Sequence, residues 1–376
     1  MAQPYPGRVT RLGKRPRRGD TIASMTPHPL ELYRVSGTHH EVGIQMGELG
    51  AEQIRRGIET FDGQLPEGRT RAEQLRLAQE YRDVTAPSLP WLIDELDGCA
   101  EGAGVDTLEF FATTVEELWY TPYPKRTQGR CSDVVAGPAA TADGHLWVGH
   151  NNDLARTAEE DIVAIEWRVP GEPVVFSLGI GPWISVGWND AGLSLTGNEL
   201  SPTDDRVGVS RLLMVREQLT ARSIDEAVTM ALRPDRASSY NTVFAHRDGR
   251  VVNVEGSAGD AETWGLDEHG ALAHTNHYVH PRMLSYEGDP EYAVSSSVRF
   301  ERACALLADA APGAIDAAWL RAAISDHATS PAICRHKGDS ARSHTVFWCI
   351  ADVTAGDIRY GAGPPCDSVE QRYAFS

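Results

Sequence analysis

The chain has 376 residues, of which 41% are hydrophobic and 23% charged, and its formal net charge is −18. A chain of this length can bury a large core without a disulfide framework. The acidic balance argues against nucleic acid or an anionic membrane as a partner. No apolar run approaches the roughly 18 residues of a membrane-spanning helix. The six cysteines form no CxxC pair, which indicates a reducing, cytoplasmic setting.

The first 24 residues differ from the rest, with six basic residues and a single acid, Asp20. The pair Arg17 and Arg18 suggests a twin-arginine signal, but no hydrophobic region follows it. We therefore expect residues 1–24 to be a disordered basic tail, or Met25 to be the true start.

Residues 30–120 are predicted to be mostly helical. A strand over residues 30–37 precedes a long helix, for which Thr38 is a plausible N-cap and Glu41 completes a capping box. Further amphipathic patterns predict helices over residues 70–84, 87–104 and 106–122.

The pattern changes at Cys131, where short β-like runs separated by turn residues begin. Asp248-Gly249 is a strong hairpin signal between two of these runs. Helices are predicted over residues 208–222, 223–232 and 295–310, and strands over 132–137, 144–151, 162–169, 173–179, 184–189, 192–199, 242–248, 249–256, 271–277, 344–353 and 357–363. Helices followed by antiparallel sheets with intercalated helices predict an α+β fold.

Five residues at separate positions suggest chemistry. Cys131 stands at the start of a predicted strand, and Asp153 follows a second strand in GHNND. Asn198 ends GLSLTGN, Asn276 lies in HTNH, and Arg342 precedes the apolar run HTVFWCI. Each signal alone is weak, since a lone buried cysteine is usually a small hydrophobe.

In this order and spacing the motifs resemble the N-terminal-nucleophile (Ntn) hydrolase superfamily. The closest resemblance is to the peptidase C45 group, the acyl-coenzyme A:6-aminopenicillanic acid acyltransferase-like proteins. It covers about residues 30–360 and includes the opening segment VSGTHHEVGIQMGELG. The chain departs from the group at Ser132, where Thr is frequent, and at Asn152, where an aromatic is frequent. The resemblance implies a four-layer αββα sandwich with a helical N-terminal segment.

The resemblance also implies self-cleavage between Arg130 and Cys131. A helical α segment, residues 25–130, would be released from a β segment, residues 131–376, and the two would remain associated as one domain. The new α-amine of Cys131 would have a pKa near 7.7–8.0, low enough to act as a base at neutral pH. Nucleophile and base would then belong to one residue.

Further roles follow from the same resemblance. Asp153 would orient the amine, and Asn276 with Asn198 would donate to the oxyanion. Arg342 would stabilise the cysteine and aspartate electrostatically or bind a substrate carboxylate.

Four further side chains are open to two interpretations. Glu255 could line the site or be a hydrogen-bonded structural carboxylate. Trp183 and Trp188 could line an apolar acyl pocket, although core packing is favoured. Arg299 is expected on a helix face, with substrate contact as the lesser alternative.

The histidines also invite a metal site, because His274, His277 and His280 form HxxHxxH. If residues 272–278 form a strand, these side chains alternate between its faces and do not converge. A second group lies close in sequence: Cys334, His336 and His344. We expect no metal.

The sequence therefore predicts an amide hydrolase that acts on a small N-acyl amine or N-acyl amino acid through a Cys131 thioester. The alternative is an acyltransferase that passes the acyl group from acyl-coenzyme A or an amide donor to an amine. No cofactor is expected, and acyl-coenzyme A would be a substrate. A non-catalytic binding protein on an inherited fold should have lost one of the key residues, and a general endopeptidase is disfavoured. The sequence leaves a homo-oligomer open.

Overall fold

The computed structural model describes residues 29–63, 65–119, 130–338 and 343–376, so the predicted N-terminal tail lies outside the described residues. The helices are α1 (His39–Leu49), α2 (Ala51–Gly63), α3 (Arg71–Ser88), α4 (Pro90–Ala103), α5 (Thr107–Thr113), α6 (Glu116–Trp119), α7 (Arg211–Gln218), α8 (Ile224–Ala231), α9 (Pro290–Asp309) and α10 (Ala317–Ile324). The strands are β1 (Leu32–Ser36), β2 (Arg130–Ala136), β3 (Trp147–Ala155), β4 (Ile162–Arg168), β5 (Val175–Ile180), β6 (Trp183–Asn189), β7 (Leu193–Asn198), β8 (Asn241–His246), β9 (Val251–Gly256), β10 (Ala261–Trp264), β11 (Ala271–His274), β12 (Ser343–Asp352), β13 (Asp357–Ala362) and β14 (Gln371–Ala374).

The strands form two sheets. The eight-stranded sheet has the order β1-β4-β5-β6-β7-β8-β9-β10, and the six-stranded sheet has the order β11-β2-β3-β12-β13-β14. All these pairings are antiparallel except that of β1 with β4, which is parallel. The expectation of purely antiparallel sheets is therefore wrong at this edge. The helical N-terminal segment and part of the other sheet intervene between β1 and β4, and a connection of that length permits parallel pairing.

Three hydrophobic cores separate four layers. One core joins α1–α5, α7 and α8 to the eight-stranded sheet. A second fills the space between the two sheets, and a third joins α9 and α10 to the six-stranded sheet. The predicted α+β class and αββα layering are confirmed. Among the described residues, no helix combines the length and apolarity needed to cross a bilayer.

Local signals set several element ends. Thr38 and Glu41 form the predicted capping box, with Glu41 N donating to Thr38 Oγ1 over 3.3 Å. The predicted long helix is divided at Gly50 into α1 and α2. Gly249, with φ of 90°, forms the predicted hairpin turn between β8 and β9. The sequence analysis did not predict α10.

Helices α1 and α4 approach so closely that only glycine fits at their contact. A Cβ on Gly47 would lie 2.1 Å from the Cys99 carbonyl oxygen, and one on Gly98 would lie 2.3 Å from the His40 carbonyl oxygen. Real Cβ atoms do not come this near to backbone, so a larger residue would force the helices apart.

An ion-pair cluster ties the start of α1 to α4. His39 Nδ1 lies 2.9 Å from Glu95 Oε2, and its Nε2 lies 3.0 Å from Glu172 Oε1. Burial lowers the pKa of His39, but hydrogen bonds to Glu172 and Glu95 outweigh it and raise the pKa to about 9. His39 is therefore a cation near neutral pH.

Strand β2 lies inside the six-stranded sheet, between β11 and β3. Val135 packs between the two sheets, whereas Val134 and Ala136 pack towards α9 and α10. Because side chains alternate along a strand, Cys131 faces the space between the sheets.

Candidate active site

The backbone of Cys131 is held on both sides by buried polar side chains. Its N–H donates to Asn276 Oδ1 over 2.7 Å, and its carbonyl oxygen accepts from Arg299 Nη1 over 2.6 Å. Asn276 is 1% exposed and Arg299 0% exposed, so water does not compete with either bond. The residue predicted to be the nucleophile is thus held by side chains from two other segments, the bend after β11 and α9.

The contacts of the Asn276 amide fix its orientation. Its Oδ1 accepts from both Cys131 N and Arg299 Nη2, the latter over 2.9 Å, so this atom must be the oxygen. Its Nδ2 donates to the Glu199 carbonyl oxygen over 3.1 Å. Among the contacts of the described residues, one amide N–H is then left for an oxyanion, and that role of Asn276 stays a prediction.

Arg299 lies on the buried face of α9. The buried residues of α9 are Tyr292, Ser296, Arg299 and Ala303, which share one face at helical spacing. The arginine therefore occupies a core position and reaches Ser132 Oγ as well, over 2.9 Å. Sequence reasoning placed Arg299 on a helix face but missed this role. Marking which positions of α9 share one face at helical spacing would have shown that Arg299 lies on the buried face.

Asp153 lies beside the bond that is predicted to break. It pairs in register with Arg130, while Cys131 pairs with Asn152. Its carboxylate is fully buried and accepts from Thr345 Oγ1 over 2.7 Å. Burial raises the pKa of the Asp153 carboxyl, and the positive charges of Arg299 and Arg335 oppose that rise. Its proposed action on the Cys131 amine stays a prediction.

The surroundings of the Cys131 thiol favour its protonated form. Burial raises its pKa above the ordinary range, and the nearby carboxylates of Asp153 and Asp133 raise it further. The charge of Arg299 acts in the opposite direction without reversing the shift. A new positive charge at the Cys131 nitrogen would lower this pKa.

Asn198 belongs to a buried polar network. Its Oδ1 accepts from Asn241 Nδ2 over 3.1 Å and lies 3.0 Å from His274 Nδ1, while His274 Nε2 lies 3.0 Å from Glu255 Oε1. All four side chains are fully buried. Asn198 Nδ2 has no hydrogen-bond partner among the described residues. A buried N–H of this kind suits the predicted oxyanion role, because it is already desolvated.

Glu255 makes three bonds within the fold. Besides His274, its Oε1 accepts from Val279 N over 2.7 Å, and its Oε2 accepts from His280 N over 2.9 Å. These contacts support the structural interpretation of Glu255 and not that of a substrate contact.

The two predicted tryptophans pack in two different hydrophobic cores. Trp183 packs in the helical layer, with its ring centroid 6.1 Å from that of Phe110. Trp188 packs between the sheets, 5.8 Å from the Phe176 ring, at the end of β6 that pairs with Ser194. Their contacts are those of core residues, the alternative that the sequence favoured.

Arg342 lies outside the described residues, so its predicted role is unchanged. The HxxHxxH histidines contact different groups: His274 contacts Glu255, His277 lies 2.9 Å from Ser296 Oγ, and His280 stacks on Trp264. They therefore form no shared site.

The comparisons with known proteins give a family and several distant structures. The model of the family "Acyl-coenzyme A:6-aminopenicillanic acid acyl-transferase" matches residues 140–366, more than half of the chain, beginning after Cys131. A conjugated bile acid hydrolase mutant from Clostridium perfringens is 10% identical, with a TM-score of 0.42 over 65% of this chain and 97% of that one. Penicillin V acylase from Agrobacterium tumefaciens is 12% identical, with a TM-score of 0.36 over 63% of this chain and 76% of that one. No curated protein matches the sequence.

Proposed function

Because the chain belongs to the acyl-coenzyme A:6-aminopenicillanic acid acyl-transferase family, as its motifs predicted, we propose that it is a Cys131-dependent amide hydrolase matured by self-cleavage. The observation that carries the proposal is the fixation of the Cys131 backbone between Asn276 and Arg299. Two buried side chains from distant segments serve this one residue. A cysteine that only filled core volume would need neither.

Maturation begins in the uncleaved chain. The Cys131 sulfur attacks the carbonyl carbon of Arg130, the peptide C–N bond breaks, and the proton released by the thiol passes to the Cys131 nitrogen. Water then hydrolyses the thioester, which leaves a carboxylate on Arg130 and returns the thiol to Cys131. Asn276 Oδ1 already accepts a hydrogen bond from the Cys131 nitrogen and can continue to do so when that nitrogen is an amine.

Turnover uses the same atoms. The free amine of Cys131 accepts the thiol proton, and the thiolate attacks the acyl carbon of the substrate. The oxyanion receives hydrogen bonds from the amide groups of Asn198 and Asn276. The amine product leaves with the proton, and water releases the carboxylic acid from the thioester.

Arg299 and Asp153 act through Cys131. Arg299 holds the Cys131 carbonyl and the Asn276 oxygen, and so sets where the thiol and the amine point. Asp153 lies opposite Arg130 in the sheet, where a carboxylate can favour the ammonium form of the new terminus. Neither residue needs to touch the substrate.

The two segments are expected to stay together after cleavage. Strand β1 pairs with β4, and helices α1–α5 share one core with the eight-stranded sheet. Burial on this scale keeps pieces associated once the covalent link is broken. The N-terminal segment is thus proposed as a permanent partner of the C-terminal one.

The second candidate is an acyltransferase, which the family's name favours. Both reactions share the Cys131 thioester and differ only in whether water or an amine resolves it. Hydrolysis requires no acceptor site, so we retain the hydrolase as the primary proposal. The acyl chain and the amine are left to experiment.

The first test is the intact mass of the purified wild-type chain beside that of Cys131→Ala. We expect wild type to divide into pieces of 130 and 246 residues, the larger beginning at Cys131, and the variant to remain whole at 41.0 kDa. Cys304→Ser is the matched control, because Cys304 lies on α9 outside the site, and this variant should divide like wild type. A wild-type chain that stays whole after prolonged incubation would contradict the proposed maturation.

A second test separates hydrolase from transferase. The matured protein is incubated with N-acyl amines of graded chain length, and amine release is measured with and without hydroxylamine. A hydrolase releases acid and amine in water alone, whereas a transferase needs the added nucleophile and forms the hydroxamate. Absence of release in both conditions and with acyl-coenzyme A would refute both candidates.

A further inference from the structure

Four potential metal ligands from two segments converge outside the active site. His327 follows α10, Cys334 and His336 lie in the same loop, and Cys366 lies in the turn between β13 and β14. One ligand atom from each of the four lies within 4.8 Å of all the others. Cys334 is buried, His336 half-buried, and His327 and Cys366 are exposed.

The separations fit a tetrahedral ion. With Zn–S bonds of about 2.3 Å and Zn–N bonds of about 2.0–2.1 Å, a tetrahedron places two sulfurs about 3.8 Å, a sulfur and a nitrogen about 3.6 Å, and two nitrogens about 3.4 Å apart. The two Sγ atoms are 3.6 Å apart and the two Nε2 atoms 3.1 Å apart. Three sulfur–nitrogen distances are 4.0, 3.1 and 3.8 Å. Each of these five edges lies within about 0.5 Å of the ideal value. The sixth edge, between Cys334 and His327, lies within 4.8 Å.

We propose that His327, Cys334, His336 and Cys366 bind one zinc ion. Two thiolates and two imidazoles are a zinc ligand set, since the thiolates disfavour magnesium and calcium. Four protein ligands leave no position for water or substrate, so the site is structural and not catalytic. The inference concerns metal binding alone and does not depend on the proposed function.

The ion would link the loop between α10 and β12 to the turn between β13 and β14. Cys334 and His336 flank Arg335, whose N–H donates to Thr345 Oγ1 over 3.0 Å and whose carbonyl accepts from Thr345 N over 3.0 Å. Thr345 in turn holds Asp153. Zinc bound here would therefore stabilise the loop that supports the buried carboxylate beside Cys131.

Sequence reasoning expected no metal and grouped two of these ligands with the wrong histidine. His344, which is close to them in sequence, is buried on β12 with Nε2 3.3 Å from Glu159 Oε2. His327 and Cys366 take its place, at sequence separations that match no short zinc motif. Only the folded chain brings them together.

The test is the metal content of the full-length protein, purified under reducing conditions and measured by inductively coupled plasma mass spectrometry. We expect about one zinc per chain in wild type and a loss of most of it in Cys334→Ser/Cys366→Ser. Cys304→Ser is again the matched control and should retain the zinc. Since the double variant could misfold, His327→Ala at the exposed ligand is measured in parallel, and its zinc should dissociate at lower chelator concentration.

Cobalt gives a second readout on the unaltered chain. After removal of zinc under reducing conditions, added Co²⁺ should produce the visible bands of tetrahedral cobalt and a thiolate charge-transfer band, both absent from the double variant. Refilling with zinc should raise the melting temperature of wild type and leave that of the double variant unchanged. A metal-free wild type, or one about 2 Da lighter because the cysteines form a disulfide, would overturn the proposal. So would equal zinc in wild type and in both ligand variants.

Discussion

Replacement of Arg299 by methionine tests whether the Cys131 backbone is held as the geometry indicates. Methionine fills a similar apolar volume but donates no hydrogen bond, so three bonds of 2.6, 2.9 and 2.9 Å are lost. The carbonyl of Cys131 and the Asn276 oxygen then lose a buried donor.

The magnitude follows from burial. Hydrogen bonds to a charged group contribute about 1.5–3 kcal/mol each, but bonds from one guanidinium are not additive. Removal of one partner from a buried charged arrangement costs about 3–5 kcal/mol, and we expect Arg299→Met to lower the free energy of unfolding by about that much. Loss of the arginine's charge should also raise the pKa of Asp153 further, because that charge now lowers it.

Two assays separate stability from chemistry. Urea unfolding is measured in the Cys131→Ala background, where the chain stays whole, and the maturation rate is measured with the cysteine present. We expect maturation of Arg299→Met to slow by about 10²–10³, the loss seen when a positioned donor is removed. Arg299→Lys keeps the positive charge but loses the planar guanidinium group with its several N–H donors. Its stability and maturation rate should lie between those of wild type and Arg299→Met.

Arg76→Met is the control, because Arg76 is 72% exposed and its Nη1 lies 2.7 Å from Glu80 Oε1 on the surface of α3. It should leave both quantities unchanged. If the free energy of unfolding of Arg299→Met lies within about 1 kcal/mol of that of its parent, and the variant matures at the wild-type rate, then the hydrogen bonds from Arg299 do not position Cys131.

Three other predictions concern stability and the site. Gly47→Ala should lower the free energy of unfolding by about 1–3 kcal/mol, because the new methyl group meets an α4 carbonyl. Gly63→Ala is the control and should not lower it in this way, because a Cβ there meets nothing within 4 Å. Equal effects of the two substitutions in urea unfolding would contradict the close packing of α1 and α4. The pKa of His39 is raised from 6.5 to about 9, so its ion pairs should stabilise the fold fully below pH 6.5 and progressively less as pH rises through 9. His39→Gln should reduce the change in the free energy of unfolding over this pH range by on the order of 1–2 kcal/mol, after allowance for solvent screening. An unchanged pH dependence would refute the assignment. Thr345→Val removes the hydroxyl that donates to the buried Asp153 carboxylate and should slow maturation about tenfold. The control is Thr196→Val, at a buried hydroxyl with no partner among the described residues, which should mature at the wild-type rate. Similar rates for the two variants would mean that the Thr345 bond is dispensable.

Local patterns in the sequence were enough for the α+β class and several element ends, and a resemblance of motifs was enough for the family. The capping box at Thr38 and the Asp248-Gly249 hairpin depend on residues within four positions of one another, so they could be read from the chain directly. The order of the motifs around Cys131, Asp153 and Asn276 predicted the family, which the match over residues 140–366 confirms.

Tertiary structure decided what surrounds those motifs. Arg299 reaches Cys131 across 168 positions of sequence, and Thr345 reaches Asp153 across 192. Such contacts depend on how α9 and β12 pack on the six-stranded sheet, which no local pattern encodes. The same holds for His327 and Cys366, which approach each other only because β12 and β13 return the chain to the loop after α10. Periodicity and capping act between near neighbours, whereas a site made of side chains from separate elements exists only after the layers have packed.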